Sequence, residues 1–192
     1  QIYLQISQIY SRLGFYDLAI EFSISSLNIS DKLEDNLHKH YALLTIAKNF
    51  GYVGKIKEAI IYANRTLTFL KNTKWHSVYF KKREIYTTLA TFSEIYLQNQ
   101  DFENAILYGN KRLDYTRSYG DKINVLHSID FFIRCYYKMS DYTNALNSTS
   151  EAIELARELN DTNSIISNYI MSTLCANRLG NLDLVKYNLF LI

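Results

Sequence analysis

Proline is missing from all 192 residues, where average usage would put it at about 5%. The residue that most reliably interrupts a helix interior is therefore absent, and a chain that is helical nearly throughout is allowed. Glycine is scarce, with six in total. Cysteine is limited to Cys135 and Cys175. These two hold equivalent places in adjacent repeating units (below), where packed helices lie about 9–10 Å apart. That is beyond disulfide reach, so both read as small buried hydrophobes and a reducing compartment is favoured. No excess of one charge is present, with 21 Lys and Arg against 19 Asp and Glu. A net charge of +2 provides none of the strong field that marks nucleic-acid or anionic-membrane binding. No run of 18 apolar residues is available to span a bilayer, and no signal peptide is visible. With 48% hydrophobic residues, a disordered tail is excluded and a sizeable core is available.

What the chain does contain is a repeat. An aromatic or branched apolar residue, two variable residues and a small residue recur as Tyr16-Asp17-Leu18-Ala19, Ile56-Lys57-Glu58-Ala59, Phe102-Glu103-Asn104-Ala105 and Tyr142-Thr143-Asn144-Ala145. A weakened copy follows at Leu182-Asp183-Leu184-Val185. Successive copies begin 40, 46, 40 and 40 residues apart. A period of this size signals stacked supersecondary units, each unable to bury its apolar face alone.

Each unit reads as two helices joined by a tight turn. In the first, Tyr3, Ile6, Ile9, Tyr10 and Leu13 follow helical spacing. Gly14 then stops the helix, and a second helix starts near Phe15. Small residues are predicted to face each other within a pair: Ser7 with Ala19, Ala47 with Ala59, and Ser93 with Ala105. Ile133 opposite Ala145 and Thr173 opposite Val185 depart from that scheme. Ser30-Asp31, Gly120-Asp121 and Asn160-Asp161 are expected to cap the next unit's first helix, and Asp101, Asp141 and Asn181 to cap second helices. The units fall at about 1–36, 37–78, 79–121, 122–161 and 162–192, within one domain over 1–192. The chain starts at Gln1 and ends at Ile192 inside what read as helices, so it is expected to be part of a longer protein.

The phrase Tyr10-Ser11-Arg12-Leu13-Gly14-Phe15-Tyr16-Asp17-Leu18-Ala19, together with the ending Glu151-Ala152-Ile153-Glu154-Leu155-Ala156, resembles the tetratricopeptide repeat. The usual period of that repeat is 34 residues. A period near 40 without the closing proline looks like the longer variety found in MalT-type bacterial regulators, in Rap- and PlcR-type peptide receptors, and in some eukaryotic adaptor proteins. The resemblance implies an all-α fold, a right-handed α-α superhelix of about five helix-turn-helix repeats. It also implies that the first helix of each unit lines a concave binding surface. Carried onto this chain, that lining is Gln5, Gln8 and Arg12; Thr45, Lys48 and Tyr52; Thr91, Glu94 and Gln98; His127, Asp130, Phe131, Arg134 and Lys138; and Met171, Asn177 and Arg178. Its amides and guanidinium groups suit an extended peptide. Chaperone-binding members of the family carry a Lys-Asn-Asn-Lys-Arg carboxylate clamp. Its places here hold Leu4, Gln8, Thr45, Thr87 and Thr91, so a chaperone's C-terminal tail is not the expected ligand.

No local pattern announces chemistry. Zinc-binding, EF-hand, phosphate-loop and nucleophile-elbow spacings are all absent from the sequence, and no cofactor or metal is expected. His38 and His40 point to different sides of a helix. Three Asn-x-Ser/Thr sequences, at Asn28, Asn64 and Asn147, are chance matches in an Asn-rich chain. The 46-residue interval holds a basic, aromatic stretch with Lys71, Lys74, Trp75, His76, Tyr79, Phe80, Lys81, Lys82 and Arg83. It reads first as a solvated helix edge and second as a contact for an acidic or nucleic-acid partner.

The sequence therefore points to a non-catalytic scaffold for a protein or peptide, in the sensory or interaction part of a bacterial regulator. The expected place is the cytoplasm, or the periplasm if the regulator is membrane-anchored. Two alternatives stay open: a self-associating structural module such as a homodimer, and, less favoured, nucleic-acid contact through residues 71–83.

Overall fold

The computed structural model describes residues 1–75 and 77–191, so His76 of the basic stretch and the terminal Ile192 lie outside the described residues. The described residues form ten α-helices and no strands. In chain order these are α1 (Ile2–Arg12), α2 (Tyr16–Lys32), α3 (Asn36–Tyr52), α4 (Ile56–Asn72), α5 (Val78–Gln98), α6 (Phe102–Arg117), α7 (Lys122–Lys138), α8 (Tyr142–Glu158), α9 (Thr162–Arg178) and α10 (Leu182–Leu191). Residues 1–105 form one compact unit and residues 106–192 a second, with the division inside α6. In the first, α1 to α5 pack in succession, and α3 also lies against both α1 and α5. In the second, α7 to α10 pack in succession and α7 also touches α9.

Tight connections turn on a left-handed residue, and in three of the five within pairs a capping side chain follows it, Phe15 and Lys55 making no such cap. Gly14, Gly54 and Gly180 take φ of +83°, +74° and +73°, and Gln100 and Ser140 take the same region at +60° and +61°. Asp101, Asp141 and Asn181 then accept the backbone N–H three residues on, at 3.1–3.2 Å. Asp121 and Asp161 cap α7 and α9 in the same way. The cap of α3 differs from expectation. Asp31 lies in the last turn of α2, and Asp35 caps α3 by accepting from the His38 N–H at 3.1 Å. The physical reason is that α2 runs on to Lys32, so the turn falls at Glu34, whose φ is +53°.

The long interval is located by length. α4 has 17 residues, like α2, α3, α7, α8 and α9. α5 has 21 residues, one turn more. The stretch 73–77 before it is two residues longer than the connection 53–55. Helix and connection together absorb the six extra residues.

Of the expected small-residue pairs, Ser7 and Ala19 are in direct contact, and the members of the other two are buried. Ser7 Oγ donates to the Ala19 carbonyl at 2.7 Å and lies 2.6 Å from Ser23 Oγ. Ala47, Ala59, Ser93 and Ala105 are fully buried, as are Ala63 and Ser23. Gly109 holds the corresponding place in α6, 46 residues beyond Ala63. An added Cβ there would meet Phe131 at 2.7 Å and Phe132 at 3.0 Å. Cys135 and Cys175 are buried free thiols. Ser30, Thr66 and Thr149, the hydroxyl residues of the three Asn-x-Ser/Thr sequences, are buried within helices.

One buried polar contact was not anticipated. His40 of α3 is fully buried, and its Nε2 lies 2.8 Å from Oε2 of Glu84 on α5, itself 3% exposed. Glu84 Oε1 accepts from Arg83 Nε at 2.8 Å and Nη2 at 2.6 Å. Burial alone would raise the Glu84 carboxyl, but hydrogen bonds and charge from His40 and Arg83 outweigh it and hold the carboxyl below its ordinary value of 4.5. A carboxyl lowered by folding stabilises the fold above that ordinary value and loses its contribution as pH falls through the folded one.

Two outcomes are expected. Gly109→Ala should destabilise by about 1–3 kcal/mol through overpacking, read by urea denaturation, and Phe131→Leu in the same chain should recover part of the loss. Glu84→Gln should flatten the decline of stability below pH 4.5, relative to the native chain in parallel titrations. An unchanged acid limb would refute that account of the pair.

Candidate functional site

The lining expected from the sequence is distributed over the first helices of the pairs: α1, α3 and α5 in the first unit, α7 and α9 in the second. Gln5, Gln8 and Arg12 of α1 are exposed. On α3, Thr45 is half-buried and its Oγ1 donates to the Tyr41 carbonyl at 2.8 Å. Lys48 reaches solvent, yet surrounding protein strips enough water from its ammonium to lower its pKa, with Glu84 opposing. Tyr52 is 48% exposed, but its ring stacks on Tyr16 of α2 at 4.9 Å and is committed to helix packing. On α5, Thr91 is almost fully buried and donates to the Thr87 carbonyl at 2.9 Å. Glu94 is half-buried and Gln98 exposed.

In the second unit His127, Arg134 and Lys138 of α7 are exposed, and so are Asn177 and Arg178 of α9. Phe131 does not face solvent. It is fully buried, set against Gly109 and beneath the guanidinium groups of Arg112 and Arg134 at 5.7 and 5.8 Å. The helical offset places it among the lining residues, but the missing side chain at Gly109 opens a slot that draws the ring inward. Phe131 and Thr91, each buried within its own unit, offer a ligand no surface.

Three of the expected residues come together. Asp130 and Arg134 of α7 and Met171 of α9 line one open cleft of about 280 Å³ with Ile133, Ser164, Ser167 and Asn168. Asn168 is 3% exposed and its Nδ2 donates to Asp130 Oδ1 at 3.1 Å and to the Ser164 carbonyl at 3.0 Å. Burial raises the Asp130 carboxyl above its ordinary value of 3.8, against the opposing effects of Asn168, His127, Arg134 and Arg112. Sequence reasoning missed Ser164, Ser167 and Asn168. Ser167 stands 40 residues after His127, so strict use of the period would have found it. Asn168 occupies a core position and carries no such signal.

No family model matches the chain, and no curated protein matches its sequence. Solved structures do match in shape. Aspartyl phosphate phosphatase F from Bacillus subtilis superposes with a TM-score of 0.83 at 17% identity, over 97% of this chain and 47% of that one. A Rap protein complexed with Competence and Sporulation Factor gives 0.72 at 16% identity, over 97% and 50%. A signal-transduction ATPase (STAND) with a tetratricopeptide repeat sensor, from Pyrococcus horikoshii, gives 0.77 at 18% identity, over 97% and 28%. The chain has a tetratricopeptide-like repeat fold. It spans about half the length of these Rap structures.

In this tetratricopeptide-like chain, Asp130 keeps a carboxylate where burial penalises its charge. Replacing it by Asn preserves an acceptor for the Asn168 amide and removes that penalty. Asp130→Asn should therefore raise stability modestly, by up to about 1 kcal/mol, measured by urea denaturation at pH 7. A loss of stability would show that the carboxylate serves the fold and not the cleft.

Proposed function

We propose that the chain is a non-catalytic scaffold whose first-helix face holds a protein segment or peptide, as the sensing part of a bacterial regulator. The observation that carries this is the cleft of the second unit. A partly buried carboxylate (Asp130), an exposed guanidinium (Arg134), two serines and a buried amide (Asn168) surround a thioether and an isoleucine. A peptide presents the complementary set: N–H groups for Asp130, carbonyl or carboxylate oxygens for Arg134, and an apolar side chain for Met171, which adapts its shape readily. The Rap structure holding Competence and Sporulation Factor and the repeat array described as a sensor support this reading by fold. Among the described residues no helix is long and apolar enough to cross a membrane.

The test is a peptide array probed with the whole chain, followed by calorimetry on the tightest sequence. Arg134→Ala and Asp130→Asn should each weaken that sequence by about tenfold, equivalent to ~1.4 kcal/mol, with far-ultraviolet circular dichroism unchanged. An array that selects nothing above background, or variants that bind as the native chain does, would overturn the reading.

A further inference from the structure

The first unit holds a second polar arrangement, which the cleft around Asp130 does not use. Arg83, Thr87 and Thr91 follow one another at four-residue intervals on α5, and Thr87 and Thr91 donate back to the carbonyls of Arg83 and Thr87. Tyr41 stands one turn before Thr45 on α3. Arg83 and Tyr41 thus extend, toward the helix N-termini, the stripes that carry the expected lining.

The Arg83 guanidinium is held from two directions. Two of its nitrogens donate to Glu84 Oε1 at 2.8 and 2.6 Å. The group lies over the Phe80 ring, 5.2 Å from its centroid. The Tyr41 phenol lies close enough for the Arg83 charge to act on it. It nevertheless remains 47% exposed. A guanidinium carries five N–H donors in a rigid fork, so an outer edge is left for a ligand. Glu84 cannot swing out to cover that edge. It is almost fully buried, and its other oxygen is taken by His40 Nε2 at 2.8 Å. His40 Nδ1 is buried with no hydrogen-bond partner. A buried polar atom left unsatisfied costs stability, which suits a group retained for orientation more than for strength.

Charge favours an anion at this edge. Glu84 balances one cation, while both Arg83 and Lys48 lie within its electrostatic reach. Lys48 is partly stripped of water and would gain from a further negative group. Of the other cations nearby, Lys39 is already paired with Asp31 and Lys81 donates to the Lys71 carbonyl at 2.9 Å. One oriented fork beside a phenol matches the two coplanar oxygens of a carboxylate. It offers little to a phosphate dianion with three oxygens to satisfy, and the Phe80 face that a base would stack on is covered by Arg83.

We infer that Arg83 and Tyr41 form a site for a carboxylate carried by an acidic peptide, with Glu84 and His40 as positioning residues behind it. This rests on the peptide-binding reading above and adds the ligand's charge and a second point of contact.

Trp75 supplies the readout. It is the only tryptophan in the chain, and its ring centroid lies 5.0 Å from that of Phe80. Acetyl-hexaglutamate amide should change Trp75 emission saturably, and acetyl-hexaglutamine amide should not. Arg83→Gln should weaken the acidic peptide at least about tenfold, and Arg83→Lys, which keeps charge but loses the fork, about threefold or more. Glu84→Gln should also weaken it and should broaden the Arg83 Nε–H resonance in nuclear magnetic resonance spectra, a change that a purely structural role would not produce. Unaltered binding by Arg83→Gln would overturn the site. So would inorganic phosphate binding more tightly with the same dependence on Arg83, which would reassign it to phosphate ligands. If array-selected peptides still need Asp130 and Arg134 while hexaglutamate elicits no response, this site alone falls. If no peptide binds at all, the broader reading falls with it.

Discussion

Two helix backbones can approach closely only where neither presents a large side chain to the other. That constraint is met where Ser7 lies against Ala19, and small buried residues recur at the matching places, Ala47, Ala59, Ser93 and Ala105, and one turn further on Ser23, Ala63 and Gly109. The close approach fixes how each pair is seated, and the seating decides which stripe of each first helix is left for solvent or a ligand. Where Gly109 widens the gap, Phe131 moves into it. A potential ligand contact becomes part of the wall because one methyl group is missing from the facing helix.

The period carried most of the architecture in legible form. Helix pairs, the burial of the small residues and most caps could be read from it because each is local, or repeats at fixed distance. Asp35 was overlooked because the end of α2 is decided by where Glu34 turns left-handed, which the composition of that stretch does not mark. Phe131 was misplaced because its burial depends on a glycine 22 residues earlier, in another helix. The His40–Glu84 contact spans 44 residues across the one irregular interval, so no periodic argument could join the two. In the cleft, Asp130, Arg134 and Met171 were accessible to an offset rule, whereas Asn168 stands at a core position and was not.

The chain also keeps polar groups where they cost stability. Asp130 holds a carboxylate against its own desolvation, and His40 leaves a ring nitrogen buried without a partner. Apolar residues at these places would serve a purely structural array better. Both groups sit at or just behind the first-helix stripes, in separate units; Asp130 feels the charge of Arg134, and His40 shares the Glu84 carboxylate with the half-exposed Arg83. Recognition by oriented donors gives one physical account of both.

The caps at Asp121 and Asp161 have a consequence for how such a chain changes length. They are the same residue in the same role, 40 positions apart, each accepting the N–H three residues downstream and each preceded by a left-handed residue, Gly120 and Asn160. A gene segment cut at both codons encodes one complete pair with matching ends. Tandem copying or excision of that cassette leaves hairpin turns, caps and small-residue rows in phase. The interval that includes residues 73–77 has no such matching ends, because α4 ends at an extended Thr73 and α5 begins at a serine cap, Ser77. Growth by duplication is therefore open at the Asp-capped joints and closed at the serine-capped one.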